Sequence, residues 1–243
     1  VSPSTGFGEK EYARILHNTL KMDDMLVEHS AIMDRYDSEK KIALSIDEWG
    51  VWLKPEGKQF LFLRQQNSIR DAIAAALNFN IFIRHADRVR MANIAQMVNV
   101  IQSMILTDGS KMVLTPTYHV HKMYVPFQDA KRIPVSFDAG AYKFDDITLP
   151  KVDAVAARGK DGKLWLALTN VDPNNSVETA ANLAGIVPRS AVGEVLTADR
   201  VDAVNEFTSP DVVKPKPIRV QAVNGKLLLR LPPKSVIVVQ LIE

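Results

Sequence analysis

From Glu9 to about Tyr36 the apolar residues Tyr12, Ile15, Leu16, Leu20, Met25, Leu26, Ile32, Met33 and Tyr36 recur mostly at steps of three and four, with charges between them. That spacing predicts a helix with one buried stripe. Asp37 and Ser38 break the pattern, and KIALSIDEWGVW follows as a short apolar strand ending in a polar, aromatic cluster and a glycine. Beyond a loop at Lys54 to Lys58, the stretch from Arg64 to about Arg84 is rich in Ala, Leu, Ile and Asn and free of Pro and Gly. It predicts a second helix, apolar around much of its surface and therefore well buried. RVRMANIA, Arg88 to Ala95, reads as a second strand ending at Gln96. An apolar stretch through Leu106 then leads to a helix with Thr115 as cap and Pro116 at its first position.

Past Pro126 the pattern changes to short runs separated by Pro, Gly, Asn and Asp. VDAVAARG and KLWLALTNV flank Lys160-Asp161-Gly162, and IRVQAV and KLLLRL flank Asn224-Gly225, pairs that tolerate the positive φ of tight hairpins. With VGEVLTA, SVIVVQLI and the segment around Arg132 to Phe137, the strands suffice for an antiparallel β-sandwich or jelly roll. KPKP, Lys214 to Pro217, reads as a loop.

Strands that alternate with helices imply a parallel sheet covered by helices. Two such units cannot close a (β/α)8 barrel, which typically needs about 250 residues. The first half therefore calls for a segment N-terminal to Val1, or for another copy of the chain, to complete its sheet. The opening VSPSTGFGEKEY lacks a signal-peptide pattern, and no run reaches the roughly 18 apolar residues of a membrane span. A cytoplasmic location fits that N-terminus, and no membrane partner is implied.

Hydrophobic residues make up 47% and charged residues 24%, which argues for a packed core and against disorder. Thirty Lys+Arg against 28 Asp+Glu leave +2, too little for a nucleic-acid footprint. Cysteine is absent, which excludes disulfides, thiolate nucleophiles and sulfur-ligated zinc. His119 and His121, two apart in a helix, point about 200° from each other and cannot share a metal. The cluster Arg84, His85, Asp87, Arg88 and Arg90 reads as an ion-pair network at the start of a strand.

In a parallel barrel the reacting groups lie at the C-terminal ends of strands, which puts the weight on the point where IALSI gives way to DEWGVW. Strict alternation sends Glu48 to one side with Ile46 and Asp47 to the other with Ser45, so the adjacent acids do not form a pair in one cleft. Trp49 and Trp52 follow within four positions of Glu48, and flat side chains beside a carboxylate suit a sugar ring. For Trp49 the alternative is an indole that plugs the end of the barrel. Trp165, in KLWLALTNV, reads as packing within the β-rich half.

The stretch from IMDRYDSEKKIALSIDEWGVW through RQQNSIRDAIAAALNFNIFIRHADRVRMANIAQMVNVIQSMILT to TPTYHVHKMYVPFQDA resembles the C-terminal half of glycoside hydrolase family 51, the retaining α-L-arabinofuranosidases. The resemblance implies α/β followed by all-β: residues 1–128 as the last strands and helices of a (β/α)8 TIM barrel, and 129–243 as a β-sandwich of jelly-roll type. It places the nucleophile on Glu48, the pocket aromatic on Trp52 and a hydroxyl-binding amide on Gln96. It places the acid/base glutamate, and a pocket His and Tyr, upstream of Val1. The implied substrate is an arabinose-containing oligosaccharide or polysaccharide, with no metal or organic cofactor. The implied partners are the N-terminal half of the same protein and further copies in a hexamer. On that view the chain alone is catalytically crippled. Rival readings are a related endoglucanase or xylosidase, and a non-catalytic sugar-binding or assembly module.

Overall fold

The computed structural model describes residues 2–54, 63–181 and 187–243. Three helices form one layer. In α1 (Glu9–Asp34) the Glu11 carboxylate reaches back to the Gly8 N–H at 3.2 Å, and the apolar stripe buries Tyr12, Ala13, Leu16 and Leu26. The second helix, α2 (Ile69–Arg84), starts later than its composition predicts. Ser68 and Asp71 form a capping box there, the Ser68 N–H donating to Asp71 Oδ2 at 2.7 Å. As expected from its all-round apolar surface, α2 is buried along nearly its whole length. Thr115 caps α3 (Pro116–Tyr124), its hydroxyl accepting from the Tyr118 N–H, with Pro116 at the first position.

The strands β1 (Leu44–Trp49) and β2 (Val89–Ile94) pair in parallel, as helix–strand alternation requires. An antiparallel hairpin, β3 (Ile105–Asp108) and β4 (Lys111–Leu114), follows them before α3. The apolar run through Leu106 does not by itself predict this hairpin, although Asp108-Gly109 carries a turn signal. The loop expected at Lys54 to Lys58 lies, beyond Lys54, outside the described residues.

The remainder is antiparallel: β5 (Lys131–Ile133), β6 (Ala141–Phe144), β7 (Ile147–Pro150), β8 (Val152–Arg158), β9 (Leu164–Asn170), β10 (Val177–Ala181), β11 (Ser190–Leu196), β12 (Lys216–Val223), β13 (Lys226–Leu231) and β14 (Ser235–Ile242). Both hairpins read from Asp-Gly and Asn-Gly are present, and Asn224 and Gly225 both have positive φ. Half of KPKP is strand after all, because Lys216 and Pro217 pair with Val195 and Glu194. The β6–β7 hairpin and β10 escaped the sequence reading.

Eight of these strands join in the order β10-β13-β12-β11-β14-β9-β8-β5. The ladder is one curled sheet, not two separately bonded ones. β12 is its corner: it bonds β11 along Lys216–Gln221 but β13 only at Ala222 and Val223. β13 thereby folds over to meet β9 and β14.

Alternation then splits the apolar residues between two cores. Ile237, Val239 and Leu241 of β14 face inward with Leu166, Leu168, Leu227 and Leu229. Val236 and Val238 face outward and pack with Ile73, Leu77 and Val120 of the helices. Trp165 is half-buried against this outer core. The helical and β-rich halves thus share a core. Polar links reinforce it: the Tyr124 hydroxyl donates to Asn80 Oδ1 at 2.8 Å, Asn80 Nδ2 to Asp153 at 3.1 Å, and Arg84 to Asp153 at 2.7 Å. Burial pushes the Tyr124 phenol far above its ordinary range.

At the N-terminal end of β2 the predicted ion-pair network is present. The buried Arg88 guanidinium donates to Asp34, to Asp37 Oδ2 at 2.7 Å and to the Ile42 carbonyl at 2.8 Å, and Lys40 pairs with Asp87. The Ile42 amide, followed by Arg88, holds the Asp37 carboxyl below the usual carboxylate range.

Candidate active site

The C-terminal end of β1 departs from regular pleating at one residue. Asp47 pairs with Asn93 and Trp49 with Ile94, so β1 spends one more residue than β2, and that residue is Glu48. Its φ of +55° is a left-handed conformation that non-glycine residues rarely adopt. This β-bulge resets the alternation. Leu44, Ile46 and Trp49 pack with the helical core, while Ser45, Asp47 and Glu48 are exposed in this chain. The strict-alternation reading that grouped Glu48 with Ile46 is therefore corrected: Glu48 lies on the side of Asp47.

The two acids nevertheless differ. Asp47 Oδ1 accepts from the Ser45 hydroxyl at 3.1 Å and from Asn93 Nδ2 at 2.6 Å, which ties it to both strands. Glu48 makes no hydrogen bond or ion pair among the described residues. A carboxylate without an internal partner, on a strained bulge at a strand end, is free to meet a ligand.

The two tryptophans separate as cleanly. Trp49 is 3% exposed. Its indole lies edge-on to Phe79 and Phe82 at 5.3 and 5.4 Å and stacks on His121 at 5.7 Å with the planes 6° apart. Of its two readings, the geometry favours the plug over the sugar platform. His121 Nδ1 donates to the Thr117 carbonyl at 3.0 Å, and burial pushes its pKa down, which disfavours the charged imidazole. Trp52, by contrast, is 57% exposed between the buried Val51 and Leu53.

Gln96 is exposed two residues beyond β2, where the Ala95 N–H donates to the Trp49 carbonyl at 3.1 Å and holds the two strand ends together. Glu48, Trp52 and Gln96 therefore all emerge from the same end of the β1–β2 pair. Sequence reasoning missed Asn93, whose place beside Asp47 depends on the register of the pairing. It also missed two buried amides beneath the site: Gln65, bonded to Val51 and Leu53, and Gln102, bonded to Val51. Only Gly50 hinted at a close approach there. Among the described residues no three His, Asp or Glu side chains come together as a metal-binding group, and no helix is long and apolar enough to cross a membrane.

Residues 47–235 match the family profile described as the α-L-arabinofuranosidase C-terminal domain. The chain is 42% identical over 241 residues to an intracellular exo-α-L-arabinofuranosidase of Bacteroides ovatus, covering 98% of this chain and 47% of that protein. In three dimensions it is similar to the family 51 arabinofuranosidase of Xanthomonas axonopodis pv. citri, with a TM-score of 0.96 and 45% identity, over 99% of this chain and 49% of that one. The Thermotoga maritima α-L-arabinofuranosidase, at 21% identity and a TM-score of 0.81, shares the fold. The chain spans about half the length of these relatives. With the family profile covering most of its length and close likeness in both sequence and fold, the chain belongs to the α-L-arabinofuranosidases of glycoside hydrolase family 51 and corresponds to their C-terminal domain.

Proposed function

We propose that the complete protein is a retaining, exo-acting α-L-arabinofuranosidase, releasing terminal arabinofuranosyl groups from arabinan, arabinoxylan or their oligosaccharides, with Glu48 as its nucleophile. The observation that carries this reading is the bulge at Glu48, which presents an unpartnered carboxylate on the open side of the strand end beside an exposed indole.

In a retaining glycosidase one carboxylate attacks the anomeric carbon while a second carboxyl group, roughly 5 to 5.5 Å away, protonates the leaving oxygen and later activates water. Asp47 does not fill the second role, since Ser45 and Asn93 already engage its Oδ1. The acid/base is assigned to the part of the protein preceding this chain. That part supplies the strands that, with β1 and β2, close a (β/α)8 barrel. The curled sheet serves as the jelly-roll sandwich domain, with the division near residue 128. Trp52 offers a flat face to the sugar, and Gln96 hydrogen-bonds its hydroxyls. The resemblance further suggests a hexamer, and the names of the relatives favour an intracellular location.

The test is Glu48→Ala in the complete protein, assayed on an aryl arabinofuranoside with an aryl xyloside and carboxymethyl cellulose as controls. Turnover lost, then partly restored by azide, supports the reading. Normal turnover ends it, and preference for a control substrate replaces the substrate class.

A further inference from the structure

Among the described residues the backbone beyond β1 pairs with no strand, yet the Val51 N–H and carbonyl and the Leu53 N–H are bonded by side chains distant in sequence. Gln102 is fully buried; its Oε1 accepts from the Val51 N–H at 2.5 Å and its Nε2 donates to the Asp71 carbonyl at 2.8 Å. Gln65, also buried, accepts from the Leu53 N–H at 2.7 Å and donates to the Val51 carbonyl at 2.8 Å. Val51 is thus gripped from both sides of its main chain. Gly50 makes the approach possible: with φ at +145°, a Cβ there would lie 3.0 Å from Gln102 Oε1.

Three residues separate the bulge from the exposed indole, and the two amides hold the last of them, Val51, together with Leu53 just beyond Trp52. Both amides are turned inward and have both ends bonded, so neither is available to a sugar. Through the Asp71 carbonyl, Gln102 also fastens the strand end to the first turn of α2.

We propose that Gln102 and Gln65 are positioning residues for the reaction assigned above, on which this inference rests. Gln102 fixes the backbone at Val51, three residues after Glu48, and so sets where its carboxylate meets the anomeric carbon. Gln65 fixes the Val51–Leu53 segment and so sets the plane of Trp52. The effect of small displacements is large in such sites, since misplacement by about 1 Å can cost about a hundredfold in rate.

The test uses the complete protein and an aryl arabinofuranoside. Gln102→Met is expected to lower kcat about a hundredfold with KM within about threefold, and to displace the acid limb of the pH profile of kcat/KM. Gln102→Glu, which keeps an oxygen for the Val51 N–H, is expected to recover about tenfold of that loss. Gln65→Met is expected to raise KM about tenfold with kcat within about threefold.

A kcat for Gln102→Met within about threefold of wild type, or a fall that merely tracks the folded fraction seen by circular dichroism with the pH profile unmoved, overturns the proposal. If Gln102→Met does not fold, Gln65→Met decides, and an unchanged KM overturns it. Turnover surviving in Glu48→Ala removes the nucleophile reading and this proposal with it. Turnover lost there but intact in both glutamine variants overturns the positioning roles alone.

Discussion

β1 and β14 are both short apolar strands in the sequence, and the structure uses them in opposite ways. Each face of β14 is covered, Val236 and Val238 by the helical layer and Ile237, Val239 and Leu241 by the inside of the curled sheet. Within this chain β1 packs on one face through Leu44, Ile46 and Trp49, and its other face, which carries Ser45, Asp47 and Glu48, is the one that would line the interior and rim of the barrel proposed above. Two-sided burial leaves a strand no chemistry but packing, because an unpaired charge there is prohibitive. A strand end at the rim of such a barrel lets the same backbone anchor a carboxylate rigidly and still expose it. The scaffold strand is antiparallel and paired without a break, whereas the site strand is parallel and broken by the bulge at Glu48.

The sharpest way to break this comparison is at Glu48. Its replacement by Ala in the complete protein is expected to cost on the order of 10⁴-fold in kcat, as removal of a nucleophile does, with stability changed by only about 0.5 kcal/mol. Glu48→Gly should go further, since the left-handed backbone at φ +55° costs a non-glycine residue about 1 kcal/mol or more. It is expected to abolish turnover and raise the melting temperature. A glycine variant less stable than Glu48→Ala would show that the bulge is not strained.

In the doubly covered sheet the largest effect is expected at Gly193. A Cβ there would sit 2.0 Å from the Val238 carbonyl oxygen and 2.7 Å from the Val239 Cα, so the β11–β14 ladder must part to admit one methyl group. Gly193→Ala is expected to destabilise by about 3 kcal/mol in denaturant unfolding, near the upper end for overpacking. Because the sheet shares its outer core with α2 and α3, the loss should appear in a single cooperative transition. Separate unfolding of the helical half would contradict the shared core.

How much of this was legible beforehand follows the same division. The periodicity of three and four residues gave α1 nearly to its ends, the Thr115-Pro116 pair gave the start of α3, and Asn224-Gly225 gave a hairpin. Each rests on local chemistry, which a sequence displays directly. Glu48 was readable as a strand-end acid, but its side was not, because a bulge is decided by the register between β1 and β2 and not by either strand alone. The corner in β12 was hidden for the same reason. So were Gln65 and Gln102, whose bonds to the strand end cross 12 to 51 residues of chain. The family resemblance supplied roles for Glu48, Trp52 and Gln96 that composition and spacing alone left open.

The two tryptophans near Glu48 sharpen the comparison at single-residue scale. Trp49→Phe removes part of a packed indole and is expected to cost about 1–2 kcal/mol of stability with KM for an aryl arabinofuranoside unchanged. Trp52→Ala is expected to leave stability within about 0.5 kcal/mol and raise KM about tenfold. The reverse pattern would exchange their assignments, making Trp49 the sugar platform.

The smallest expected effect concerns the imidazole that backs Trp49. Desolvation lowers the pKa of His121 in the folded chain, and also that of His119, where burial is again the largest cause. A histidine depressed on folding binds its proton more readily when unfolded. Stability should therefore be highest above the unfolded value of about 6.5, fall as pH drops below it, and level off once pH passes the lower folded value. Asp37 acts in the same direction at lower pH, because its folded carboxyl is depressed and its contribution disappears as the carboxyl becomes protonated. The two contributions separate by mutation. His121→Phe keeps a ring against Trp49 and removes one titrating group, so it should reduce the slope just below neutrality, leaving the part due to His119 and the acid limb in place. If His121→Phe and wild type lose stability identically between pH 7 and 5, the stacked imidazole does not resist protonation, and the packed side of β1 is more open to water than the burial of Trp49 implies.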